Sequence, residues 1–263
     1  EDGYAWWIER ISYQLDLYDI LRIDHFRGFD SYYAIPAGAS TAAGGRWKPG
    51  PGKAFFSALE AKLGPCPIVA EDLGFLTPSV YRLLSDTGYP GMKVLQFAFD
   101  SRDGGGSLYQ PHNYTPHCVA YVGTHDNDTA LGWLHTADAG DVALAREYLH
   151  LDAAEGEGWG MMRAIWSSVA DLSIVTMQDV LGLGSDARIN TPSTLGGNWC
   201  WRALPGYATE QVARRLHRAM ELYGRLPKAE VAARDAALNA EAAAEAWAAQ
   251  SDARVQSSEE TTR

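Results

Sequence analysis

Five short apolar runs, each closing on an aspartate, limit what this chain can fold into. They occupy residues 17–24, 67–72, 92–100, 119–126 and 172–179. Continuous β-branched and aromatic runs of this length suit strands buried on both faces, as in a parallel sheet. Helical stretches fall between them. Thr77 and Pro78 offer an N-cap and a first-turn proline ahead of residues 80–84, with Gly88 just beyond. Residues 141–149 and 158–169 also carry helical spacing. Strand alternating with helix predicts repeated βα units.

The expected fold class is α/β, the C-terminal part of a (β/α)8 TIM barrel. A full barrel has eight units in roughly 250 residues. The 263 residues here supply about five, so about three opening units are expected to be missing and the barrel to be incomplete. The start agrees with that expectation. Glu1-Asp2-Gly3-Tyr4 has no initiator Met, no basic segment and no apolar leader, and runs at once into a helix from Trp6 to about Leu15. Trp6, Trp7 and Trp166 are assigned to the core. This reads as a chain cut from a longer one. Residues 1–227 are expected to form the catalytic barrel portion, closed by an amphipathic helix over 210–223. Residues 228–263, rich in Ala and Glu, are expected to be a helical or disordered tail.

A net charge of −11 opposes a nucleic-acid partner. No apolar run is long enough to cross a bilayer, so no membrane role is expected. Cys66, Cys118 and Cys200 lie far apart without a CxxC, which reads as reduced thiols in a cytoplasmic protein rather than disulfides or a zinc site.

Chemistry-bearing residues gather where the runs end, the edge on which barrel enzymes place their sites. In Arg22-Ile23-Asp24-His25-Phe26-Arg27-Gly28-Phe29, strand periodicity puts Arg22 and Asp24 on one face. A carboxylate with a guanidinium beside it is a ready nucleophile; the alternative is a structural ion pair closing a strand. In Val69-Ala70-Glu71-Asp72-Leu73-Gly74, Glu71 is flanked by apolar residues, an environment suited to a proton donor. The alternative there is a turn or N-cap carboxylate, a role that fits Asp72 better. In Gly123-Thr124-His125-Asp126-Asn127-Asp128-Thr129, a carboxylate beside a histidine can hold sugar hydroxyls or steady a developing positive charge. That stretch lacks the Gly and closing Glu of a calcium loop, so no metal is expected.

Retaining cleavage of a glycosidic bond needs two carboxyl groups, roughly 5–5.5 Å apart, as nucleophile and acid/base. The long Gly- and Pro-rich segment 36–53, with Trp47, is expected to form a lid or rim beside such a site. Trp47, Tyr32, Tyr33 and Trp199 are candidate stacking platforms for sugar faces. His25 and His112 are expected to be structural, and Gly104-Gly105-Gly106 a flexible turn.

The run RIDHFRGF resembles a strand-end motif of the amylomaltases, the 4-α-glucanotransferases of the α-amylase clan. GRWKPGPG, AEDLG, PGMKVLQFAF, GTHDNDT and INTPSTLGGNWCWR resemble further motifs of that family in the same order, over about residues 3–225. The resemblance implies Asp24 as nucleophile, Glu71 as acid/base and Asp126 as transition-state stabiliser. It implies that Arg22 and His125 contact the donor sugar, with Asn190, Asn198 and Trp199 supporting them. It implies α-1,4-glucans and malto-oligosaccharides as substrates and no cofactor. Ser193 stands where the motif often has Gly, which touches the local turn rather than the acids. The rival readings are an α-glucan hydrolase of the same clan and a non-catalytic glucan-binding fragment.

Overall fold

Each of the five apolar runs overlaps a strand, shorter than the run because its polar end turns away. The computed structural model describes residues 2–103, 106–233, 235, 236 and 239. The chain divides into two compact units, Glu1–Tyr207 and Ala208–Arg263. In the first, α1 (Ala5–Leu17) leads into β1 (Leu21–Ile23) and α2 (Arg27–Asp30). A hairpin of β2 (Ser31–Ala34) and β3 (Arg46–Pro49) follows. Next come α3 (Lys53–Leu63), β4 (Ile68–Ala70), α4 (Pro78–Thr87) and β5 (Gly91–Val94). β6 (Cys118–Tyr121), α5 (Ala130–Thr136), α6 (Ala139–Leu149), α7 (Glu157–Trp166), β7 (Leu172–Ile174) and α8 (Met177–Val180) complete this unit's regular elements. The second unit carries α9 (Glu210–Leu222), capped by the Thr209 hydroxyl, which accepts the Val212 N–H at 3.2 Å.

The strands that come from the five runs pair in parallel. β1 pairs with β4 with Leu21 opposite Ile68, and β5, β6 and β7 form a second ladder in sequence order. The Ala70 N–H donates to the Pro90 carbonyl at 2.9 Å, which brings β4 alongside the entry to β5. Parallel pairing needs a crossover, and the helices between strands supply it.

Alternation along these strands separates two buried layers. Ile23, Ile68 and Ala70 point toward the helices and pack with Phe26, Phe55, Phe56, Leu59, Val80 and Leu83. Burial of each large side chain there contributes roughly 1.5–3 kcal/mol. The alternate positions Val69, Met92 and Val119 form a smaller cluster on the other face, flanked by Leu73 and Tyr121. The residues that follow these alternate positions at the strand ends include the candidate acids.

Several expectations need correction. Trp6 and Trp7 are exposed, at 58% and 42%, while Trp166 is buried. α1 lays Ile8, Ile11 and Leu15 on the core, beside its N-cap Tyr4, a stripe of helical spacing that leaves Trp6 off the packed side. Trp7 reaches only the rim, edge-on to Phe29 and Phe55. The run 92–100 is a strand only to Val94, then a 3-10 helix over Leu95–Phe99 that keeps Leu95, Ala98 and Phe99 buried. The segment 36–53 is no simple loop, because β3 within it pairs antiparallel with β2, Tyr33 opposite Trp47. Thr77 makes no capping bond, since its hydroxyl pairs with that of Ser79 at 2.9 Å. Gly104, Gly105 and most of the 228–263 tail lie outside the described residues.

Candidate functional site

The β1–β4 register, carried one step past Ile23 and Ala70, sets Asp24 opposite Glu71. Backbone bonds extend the ladder there: Glu71 N–H to the Ile23 carbonyl at 2.9 Å, and Phe26 N–H to the Glu71 carbonyl at 3.1 Å. Arg22, two residues before Asp24 and so on the same face, holds it through Nη2–Oδ1 at 2.9 Å. Asp24 is 76% exposed, so the pair does little for stability and chiefly orients the carboxylate. The Arg22 Nε donates to Met92 Sδ on β5 at 3.3 Å, and its charge acts on Tyr121 of β6. One guanidinium thus relates the ends of three strands.

Glu71 is held at both oxygens. Oε2 accepts the His25 N–H at 2.7 Å and Oε1 accepts the Leu73 N–H at 2.9 Å. A carboxyl group has about four lone-pair directions, so two remain for a proton or a substrate hydroxyl. His25 reaches this bond with φ at 49°, in the left-handed region that a non-glycine residue enters at a cost of about 1–2 kcal/mol. Its part is a backbone one. The turn-carboxylate alternative describes part of what Glu71 does, while Asp72 acts elsewhere. Asp72 Oδ1 accepts the Met92 N–H at 2.6 Å and ties the end of β4 to β5. Burial pushes the Asp72 carboxyl above the usual aspartate range, against the Met92 bond and the Lys93 charge. Gly91 makes room for it: a Cβ there would lie 2.3 Å from Oδ2.

Asp126 follows β6. His125 Nε2 lies 3.3 Å from its Oδ2, and the Asn190 side-chain amide donates to Oδ1 at 2.6 Å. The turn beneath is built by Asn127, whose Oδ1 accepts from the Thr124 backbone and hydroxyl, each at 2.9 Å. The Trp199 ring lies 5.2 Å from that of His125, tilted by 36°. Trp199 and Ser193 both have φ of 63°, and Gly196 and Gly197 are also positive, so this loop turns sharply. Among the described residues no cluster of His, Cys, Asp or Glu is arranged to hold a metal ion.

A family model described as 4-alpha-glucanotransferase matches residues 1–207. The chain belongs to the 4-alpha-glucanotransferase family. It is 49% identical over 226 residues to the 4-alpha-glucanotransferase of Clostridium butyricum, covering 85% of this chain and 46% of that one. With the chloroplastic/amyloplastic 4-alpha-glucanotransferase of Arabidopsis thaliana it shares 46% over 229 residues, covering 86% and 39%. Among solved structures, the amylomaltase from Streptococcus agalactiae in complex with acarbose superposes with a TM-score of 0.81 at 39% identity, over 86% of this chain and 46% of that one. The chain spans about half the length of the relatives it matches.

Two cavities border the candidate acids. One of about 320 Å³ is lined by Arg22, Asp24, Trp7 and Phe29. Another of about 400 Å³ lies beside Asp126 and is bounded by Gln96, Asp100, Trp133 and Arg188. A further concavity of about 1020 Å³ is lined by α1 with Lys62 and Leu63 and contains none of the candidate acids. Trp47 is exposed, and Arg27 lies over its ring at 4.4 Å. Asn198 does not join Asp126; it folds its own loop, accepting the Thr191 N–H at 2.9 Å and donating to the Thr194 hydroxyl at 3.0 Å. His112 pairs with the Tyr148 hydroxyl at 2.6 Å. Sequence reasoning missed Arg188, whose only signal was its place two residues before Asn190.

Proposed function

We propose that the protein of which this chain is part transfers α-1,4-glucan segments between malto-oligosaccharide or starch-like chains by a retaining double displacement. The observation that carries this reading is the placement of Asp24 and Glu71 on paired strand ends, joined by the His25 N–H bond to Glu71. Asp24 attacks the anomeric carbon as the glycosidic C–O bond breaks, and Glu71 passes its proton to the departing oxygen. The product is a glucosyl ester of Asp24. An acceptor 4-hydroxyl then gives its proton to Glu71 and attacks the same carbon, which releases Asp24.

Asp126, held by Asn190 and His125, hydrogen-bonds the donor sugar as positive charge builds on its ring. Arg22 and His125 border that sugar, and Trp47 and Trp199 offer exposed faces for further units. Asn198 supports indirectly, by shaping the loop that presents Trp199. The parallel ladders β1-β4 and β5-β6-β7, brought alongside by the Ala70–Pro90 bond, are read as the C-terminal five strands of a (β/α)8 barrel, its catalytic edge at the strand ends. A cytoplasmic setting is the reading favoured by three cysteines that lie far apart in the sequence without a CxxC. Among the described residues no helix is long and apolar enough to cross a membrane.

The catalytic acids do not choose between water and sugar in the second step, so the names of the relatives carry the choice of transfer over hydrolysis. Maltotriose tests it. Transfer yields glucose plus longer chains with a constant number of reducing ends; hydrolysis raises that number. Turnover unchanged by Glu71→Gln would refute the acid/base assignment.

A further inference from the structure

The mechanism above makes no use of Arg188, yet its guanidinium occupies a specific junction. Nη2 donates to the backbone carbonyl of Asp126 at 2.6 Å, and Nε donates to the carbonyl of Asn190 at 2.8 Å. These two donors form one edge of the planar guanidinium, so a single rigid fork fixes two backbone segments at once. Asn190 in turn aims its side-chain amide at Asp126 Oδ1, 2.6 Å away. Fork, two backbone carbonyls, amide and carboxylate close a ring of contacts between the end of β6 and the loop beyond α8.

We infer that Arg188 is a positioning residue that sets the orientation of the Asp126 carboxylate by locking the Asp126 and Asn190 backbones in mutual register. The inference rests on the reading of Asp126 as the stabilising carboxylate and deepens it. Arg188 acts through main-chain carbonyls and need not touch sugar. Its loss leaves Asn190 free to rotate away, and Asp126 then keeps only the longer 3.3 Å contact to His125. A displacement of about 1 Å in such a group lowers turnover by about 10²-fold.

The experiment combines kinetics with a signal that does not depend on turnover. In the full 263-residue chain, Arg188→Ala, Asn190→Ala and the double variant are assayed for maltotriose disproportionation, with Arg188→Lys as the conservative replacement. Arg188→Ala is expected to lose about 10²-fold in kcat with KM changed far less. Arg188→Lys, which keeps a charge but not the fork, recovers part of the loss. Arg188→Ala adds little once Asn190→Ala is present, because the two act in one path.

In parallel, the Asn190 side-chain amide resonance is followed by NMR in 15N-labelled chain, assigned with Asn190→Ser. It is expected to lose its carboxylate-bonded shift in Arg188→Ala. An unchanged Asn190 signal, or losses that add in the double variant, overturns the inference. A wild-type chain without turnover whose Asn190 signal still depends on Arg188 supports the positioning role and assigns turnover to the longer protein of which the chain is part.

Discussion

The backbone N–H of His25 donates to Glu71 Oε2 at 2.7 Å, so the residue after Asp24 directly holds the carboxyl group opposite it. Any change that moves the β1 end therefore moves both acids. His25 is in the left-handed region, where glycine is at ease and β-branched residues are not. His25→Gly should keep the bond and fold within about 1 kcal/mol of wild type. His25→Val should destabilise by about 1–2 kcal/mol, measured by urea unfolding, and lower kcat as well.

Ser193 is strained in the same way. With φ at 63° it occupies a position where glycine avoids the Cβ penalty. Ser193→Gly should raise stability by up to about 1 kcal/mol, the relief being partly offset by the freer unfolded chain. The urea midpoint reads this, and a fall in that midpoint contradicts the strain assignment.

A half-buried carboxyl, Asp72, and a buried one, Asp179, set a pH dependence. Asp72 and Asp179 are both raised above the aspartate range, chiefly by burial, despite backbone N–H bonds from Met92 and Ala130. A folded state that binds its proton more tightly than the unfolded chain gains stability at low pH. That gain is complete below the ordinary aspartate range and is lost as pH rises through the raised value. Asp72→Asn retains an oxygen for the Met92 N–H and removes the buried charge. It should flatten the fall in unfolding free energy above about pH 4. A slope equal to wild type contradicts this.

Gly91 belongs to the same junction. A methyl group there would overlap the Asp72 carboxylate, whose oxygen would be 2.3 Å away. Gly91→Ala should cost about 1–3 kcal/mol, as overpacking does, and lower transfer activity because the end of β4 carries Glu71. Calorimetry together with the maltotriose assay checks both effects.

Trp199 tests the sugar platform. Its ring contact with His125 is worth about 0.5–1.5 kcal/mol in aromatic pairs. Trp199→Ala should raise KM roughly 2–10-fold with a smaller effect on kcat. An effect confined to kcat points to displaced acids instead.

Much of the site was legible in the primary structure because strand ends in a parallel sheet converge. Runs ending at Asp24 and Asp126, and one carrying Glu71 at its close, mark the same edge of the fold. Period two alone placed Arg22 beside Asp24, now seen at 2.9 Å. Other features were hidden for physical reasons. The β2–β3 hairpin was masked by the glycines and prolines around it, since pairing partner rather than composition makes those strands. Trp6 and Trp7 looked like core because hydrophobicity does not report which helix face finds a neighbour. Arg188 was invisible because it works through backbone carbonyls, and carbonyls leave no mark in a sequence.

Trapping the glucosyl ester tests the central claim most directly. In the Glu71→Gln chain, α-maltosyl fluoride can load the nucleophile, because fluoride departs without a donated proton, while the slowed second step retains the adduct. Peptide mapping by mass spectrometry should find the added sugar on Asp24. An adduct on another carboxylate, or maltotriose turnover in a chain that never forms the ester, would contradict the account.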